Sequence, residues 1–147
     1  MATFAGRVID DQIILVVWVT ISGDPQVWGN PKAYNALLDT GAQKTMVSGK
    51  VVEEVGLIAS GFFPISGVTG DTITANKYKV RIDIPIMREA RSLGGDTRTE
   101  PVLSGKDIDV ALFPDSFKPE TFDVLLGMDF LYGFHLTIFA DTFILSN

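Results

Sequence analysis

The chain has 147 residues, 46% of them hydrophobic and 20% charged, which suits one folded domain spanning 1–147 and excludes a disordered segment. Its formal net charge of -6 argues against a nucleic-acid backbone as a partner. The absence of cysteine excludes disulfides, thiol nucleophiles and thiolate metal sites, and fits a cytoplasmic protein.

The first residues, Met1 to Asp11, carry little positive charge and no apolar core, so they do not read as a secretory signal. The apolar run that follows, Ile13 to Val19, is too short to cross a bilayer, and no membrane partner is expected. Its β-branched residues predict a buried strand over Ile13 to Ile21. Ser22 to Lys32 is rich in Gly, Pro and Asp and predicts a loop. Ala36 to Leu38 end a second apolar strand that runs into Asp39. Within Val47 to Leu57 a short helix is expected, with Ser48 as N-cap, Val51, Val52 and Val55 on one face, and Gly56 as its stop.

Phe62 to Val68 and Thr72 to Ile86 predict two strands around the turn Gly67-Val68-Thr69-Gly70-Asp71. From Tyr78 to Ile86 apolar and charged residues alternate, as in a strand with one wet face. Arg88 to Lys106 is rich in glycine and charge and reads as a long solvated loop. Ile108 to Phe113 predicts another strand, Pro114 to Glu120 a turn, and Phe122 to Leu126 a strand ending at Gly127. Leu136 to Leu145 predicts a closing strand or hairpin. Many short strands, little helix and no alternation of strand and helix predict an all-β chain, a closed barrel or sandwich with one or two short helices.

Chemistry concentrates in Leu37-Leu38-Asp39-Thr40-Gly41-Ala42. An apolar strand delivers a carboxylate into a turn, and the glycine two residues on allows a tight bend and close approach by another chain or ligand. One carboxylate cannot act as acid and base at once. Two facing carboxylates can, because like charges about 3 Å apart do not both ionise. The ionised one then takes a proton from water while the other donates to a peptide carbonyl.

This segment resembles the active-site loop of retropepsin-like aspartic proteases, and its extension Gln43-Lys44-Thr45-Met46-Val47-Ser48 resembles their non-viral branch, bacterial members included. Val124-Leu125-Leu126-Gly127-Met128-Asp129 is similar to the family's second signature, which buttresses that loop. The resemblance implies Asp39, Thr40 and Gly41 as catalytic-loop residues. It implies substrate contacts from Ala42, Gln43 and Lys44 and from a flap at Gly67, Val68, Thr69 and Gly70, with pockets lined around Ile65 to Ile73. Leu126 and Gly127 would support the site.

The chain holds one Asp-Thr-Gly; the pairs Asp71-Thr72, Asp96-Thr97 and Asp141-Thr142 continue with Ile, Arg and Phe. The second carboxylate is therefore expected from Asp39 of a second copy, in a homodimer that cleaves peptide or protein substrates without a cofactor. Ala2 to Ile9 and Thr142 to Asn147 would complete the dimer sheet. Viral members often carry an acid where Gln43 stands and an arginine where Met128 stands, so this dimer would rest on packing and strand pairing. A catalytically silent dimerisation or peptide-binding module of the same fold is the alternative. Asp129 reads as a helix N-terminal residue favoured by the dipole. The lone His135 reads as structural, and no metal site is expected.

Overall fold

The computed structural model describes residues 2–23, 31–66 and 70–146. Among these are ten strands: β1 (Ala2–Ile9), β2 (Gln12–Ile21), β3 (Lys32–Leu38), β4 (Met46–Val47), β5 (Gly61–Ser66), β6 (Thr72–Arg91), β7 (Thr97–Leu112), β8 (Val124–Leu126), β9 (His135–Phe139) and β10 (Thr142–Ser146). Two short helices, α1 (Gly49–Val55) and α2 (Met128–Leu131), interrupt them. The mostly-strand class expected from the sequence holds.

The strands join one sheet in the order β5-β6-β7-β4-β8-β3-β2-β1-β10-β9. β6 also pairs with β2, through Trp18↔Asp83 to Ile21↔Val80, so the pairings from β6 through β7, β4, β8, β3 and β2 lead back to β6. Alternation decides which side chains point inward. In β2, Ile13, Leu15, Val17 and Val19 are buried while Val16 between them is exposed. Their core partners include Val80, Ile82 and Ile84 of β6, Val110 of β7, Leu126 of β8 and Phe143 of β10. A smaller cluster of Phe113, Phe122 and Leu125 packs with Leu37, Ala42 and Met46 beside the Asp39 loop.

Helix α1 forms where its caps predict. Ser48 Oγ accepts from the Val51 amide, and Gly56, at φ 76°, turns the chain out. Only glycine enters that left-handed conformation without strain.

The long loop expected over Arg88 to Lys106 is instead the outer part of a β6–β7 hairpin, paired as far as Arg91↔Thr97. Its charges made it look like coil, but Arg88 meets its cross-strand partner Glu100 at 2.9 Å, and Arg98, two residues along β7, reaches the same carboxylate at 3.5 Å. Gly95, at φ 85°, makes the tip possible. The strand expected from Phe122 is shorter and begins at Val124.

The terminal strands pair within the chain. β1 pairs with β10 from Thr3↔Ser146 to Arg7↔Thr142, and β10 pairs on its other side with β9. Both termini are thus used within the chain. The sheet ends at β9 and β5.

Candidate active site

The Asp39 loop is held by three short strands. β3 and β8 run parallel, with Leu38 opposite Leu126, so Asp39 and Gly127 emerge side by side. The Asp39 amide donates to the Leu126 carbonyl at 3.0 Å and extends the ladder by one bond. After the loop, β4 returns along the other side of β8, with Met46 opposite Leu125. The segment from Asp39 to Thr45 therefore straddles β8.

Its polar groups are tied to the start of α2. The Met128 amide donates to the Ala42 carbonyl at 2.8 Å, and the Asp129 amide to the Gln43 carbonyl at 3.2 Å. Thr45 is fully buried, and its amide and hydroxyl both donate to Asp129 Oδ1, at 2.9 and 2.7 Å. The same hydroxyl accepts from the Gly127 amide at 3.1 Å. Gly127 has no room for a side chain: a Cβ there would lie 2.6 Å from the Lys44 carbonyl carbon and 3.0 Å from the Ala42 oxygen. Leu126 and Gly127 thus contact the loop.

Asp39 itself is half-buried. Its Oδ1 accepts from the Gly41 amide at 2.8 Å, which fixes the carboxylate over the turn. Thr40 is exposed, and its hydroxyl makes no hydrogen bond among the described residues. Ala42 is half-buried, and Gln43 and Lys44 are exposed.

The candidate flap residues Gly67, Val68 and Thr69 lie outside the described residues. The arms on either side are present: β5 and β6 pair from Gly61↔Lys77 to Ser66↔Thr72. Gly70 follows at φ 81°, a conformation suited to a turn. Ile73, on the β6 arm, lines a groove of about 510 Å³ with Ala75, Phe113, Pro114 and Asp115. The wall opposite β6 comes from the Pro114 turn, stiffened by edge-to-face contacts of Phe113 with Phe117 and Phe122.

Two features escaped the sequence reading. Asp129, read only as a helix-dipole partner, also anchors Thr45; the separation of 84 residues carried no local signal. Lys106 donates to the carbonyls of Asp129 and Tyr132 at 3.3 and 2.9 Å and so fastens α2 from below. Burial lowers its pKa, opposed by the Asp129 charge. Among the described residues no three histidine or acidic side chains converge to hold a metal. No helix is long and apolar enough to cross a membrane.

An aspartyl protease family model matches residues 17–130, which include the Asp39 loop, both arms of the β5–β6 hairpin and the Gly127 segment. The chain belongs to the aspartyl protease family. Among solved structures, a retropepsin-like aspartic protease from Rickettsia conorii is similar in fold, with a TM-score of 0.57 at 15% identity, covering 97% of this chain and 89% of that one. A comparison with curated proteins finds no significant match. This aspartyl protease family member thus has a retropepsin-like fold, in which a single Asp-Thr-Gly loop is clasped between β3 and β4.

Proposed function

We propose that the chain is an aspartic endopeptidase, active as a homodimer in which two Asp39 carboxylates share one water. The observation that carries this reading is the Asp39 loop: a carboxylate at the end of a buried strand, fixed by the Gly41 amide and still half-exposed. Thr40 supports the two-fold arrangement. Its exposed hydroxyl has no partner within the chain among the described residues, and a second copy facing it would supply one. With both termini already paired, a partner's strand would add to the open edge of β9. Ile138 and Phe139 there are 56% and 81% exposed, which suits burial against a second copy.

In the proposed mechanism one carboxylate is ionised and the other protonated, since the two charges repel. The ionised carboxylate removes a proton from water as its oxygen bonds to the peptide carbonyl carbon. The protonated one donates to the carbonyl oxygen. Collapse of the resulting diol breaks the C–N bond as the nitrogen takes up a proton. No covalent enzyme intermediate forms. Substrate would lie extended in the groove beside Ile73, gripped through its backbone.

The test is incubation of the wild type and Asp39→Asn with a diverse peptide pool from acidic to neutral pH, with solution mass measured in parallel. Cleavage by the wild-type dimer and none by Asp39→Asn is expected. Equal cleavage by both removes Asp39 from the mechanism. A stable dimer that cuts nothing marks a binding module.

A further inference from the structure

Five residues beyond Asp39, exposed Lys44 brings its Nζ to 4.7 Å from the centre of the Phe63 ring. Phe63 belongs to β5, the arm that leads towards Gly67. Lys77 of β6 places its own Nζ 5.4 Å from the same ring. It reaches there across Gly61, its cross-strand partner, where a Cβ would sit 3.2 Å from the Lys77 Cε. Glycine at 61 therefore opens the path by which the second ammonium approaches.

Two cations around one aromatic ring repel each other, and the ring face offsets only part of that cost. Lys50, Arg81, Arg88 and Arg98 each meet a carboxylate, and other cations of the chain stand singly, but Lys44 and Lys77 converge on one ring. Lys44 and Lys77 have no ion pair among the described residues, in a chain whose 18 acidic residues outnumber its 12 lysines and arginines. An uncompensated basic pair in such a chain calls for an anion from outside. Its location decides which one. Chain connectivity holds Lys44 within about 17 Å of Asp39, the reach of an extended peptide of roughly five residues. Phe63 also shares the β5 face of Ile65, next to the groove arm Ile73↔Ile65.

We propose that Lys44, Phe63 and Lys77 form a subsite for an acidic side chain of a peptide substrate, a few residues from the bond cleaved. The ring supports the stem of a Glu or Asp side chain, and the two ammonium groups bind its carboxylate. This inference rests on Asp39 marking a peptide-cleaving site.

The test uses fluorescently labelled peptides of one apolar sequence in which a single Glu is moved through each position, with Gln at that position as control. Binding is measured to Asp39→Asn, so that cleavage does not interfere, and kcat/KM is measured in parallel on the wild type. At one register Glu should tighten binding about fivefold over Gln, an advantage that fades in high salt. Lys44→Gln with Lys77→Gln, with thermal melting to verify the fold, should abolish the advantage. Lys44→Arg should keep it, and Lys44→Glu should shift the preference to Lys at the same register. Equal affinity for Glu and Gln peptides everywhere, an advantage that survives the double substitution, or no peptide binding overturns the subsite. A Glu preference in binding with no cleavage by the wild type leaves the subsite standing and removes the endopeptidase instead.

Discussion

Thr45 and Asp129, 84 residues apart, are joined by two hydrogen bonds to a single carboxylate oxygen, one from the Thr45 amide and one from its hydroxyl. This joint clasps the end of the Asp39 loop to the first turn of α2. Bonds to a charged acceptor are stronger than neutral ones, and here the donor residue is fully buried.

Asp129→Ala removes the shared acceptor and leaves two buried donors unpaired. A loss of about 2–3 kcal/mol in unfolding free energy is expected. Asp129→Asn keeps an acceptor oxygen without the charge and should lose about half as much. Urea denaturation of the three proteins checks the order. Peptidase activity should fall in the same order, because the loop that carries Asp39 loosens.

Gly127→Ala tests the opposite fault, excess rather than missing contact. The obstacles to a Cβ are backbone atoms of Lys44 and Ala42, which cannot rotate away. Overpacking of this kind costs about 1–3 kcal/mol, and rigid obstacles place it towards the upper end. A lower urea midpoint at unchanged m-value is expected. Since φ at Gly127 is -88°, backbone strain plays no part in the effect.

Much of this arrangement was legible from local chemistry. Ser48 and Gly56 bracket α1 because caps are written within a few residues of the helix they end. The β-branched, almost continuously apolar run Ile13 to Ile21 placed β2 because such residues suit a buried strand. Failures came where partners lie far apart. Arg88 and Glu100 look like solvated coil one by one, and only the ladder between β6 and β7 shows that they meet. The pairing of β1 with β10 joins the two ends of the chain, and no local pattern encodes it. The Asp-Thr-Gly turn at Asp39 is contiguous in the sequence, whereas the Thr45–Asp129 joint and the Lys44–Phe63–Lys77 group needed the fold to bring them together.

Thr40→Ala separates dimer strength from protomer stability. Within the chain the hydroxyl holds nothing among the described residues, so the protomer should melt as the wild type does. In the proposed dimer each Thr40 hydroxyl bonds to the partner's loop, and both bonds vanish together. A weaker dimer, by about 1–3 kcal/mol, should show in sedimentation equilibrium. Dimer affinity equal to the wild type would place Thr40 away from the two-fold contact.

Tyr34 offers a test at alkaline pH. It lies in β3, four residues before Leu38, and is 5% exposed, with its hydroxyl lacking a hydrogen bond of normal length. Burial, and then the charges of Glu54 and Asp123, push its phenol from 10.0 to about 12. Because the folded value lies above the unfolded one, the neutral phenol is favoured in the fold. The stability linked to that proton is fully present below pH about 10 and is lost as pH rises towards about 12. Tyr34→Phe carries no proton to lose. Near pH 7 the variant should be as stable as the wild type or slightly more so, since the hydroxyl it removes is unsatisfied. Above pH 10 the wild type should lose stability faster. Urea midpoints of both proteins from pH 7 to 11 read the difference directly, with Tyr78 and Tyr132 common to both. A gap that stays constant across that range would show that Tyr34 ionises no differently in the fold than in the unfolded chain.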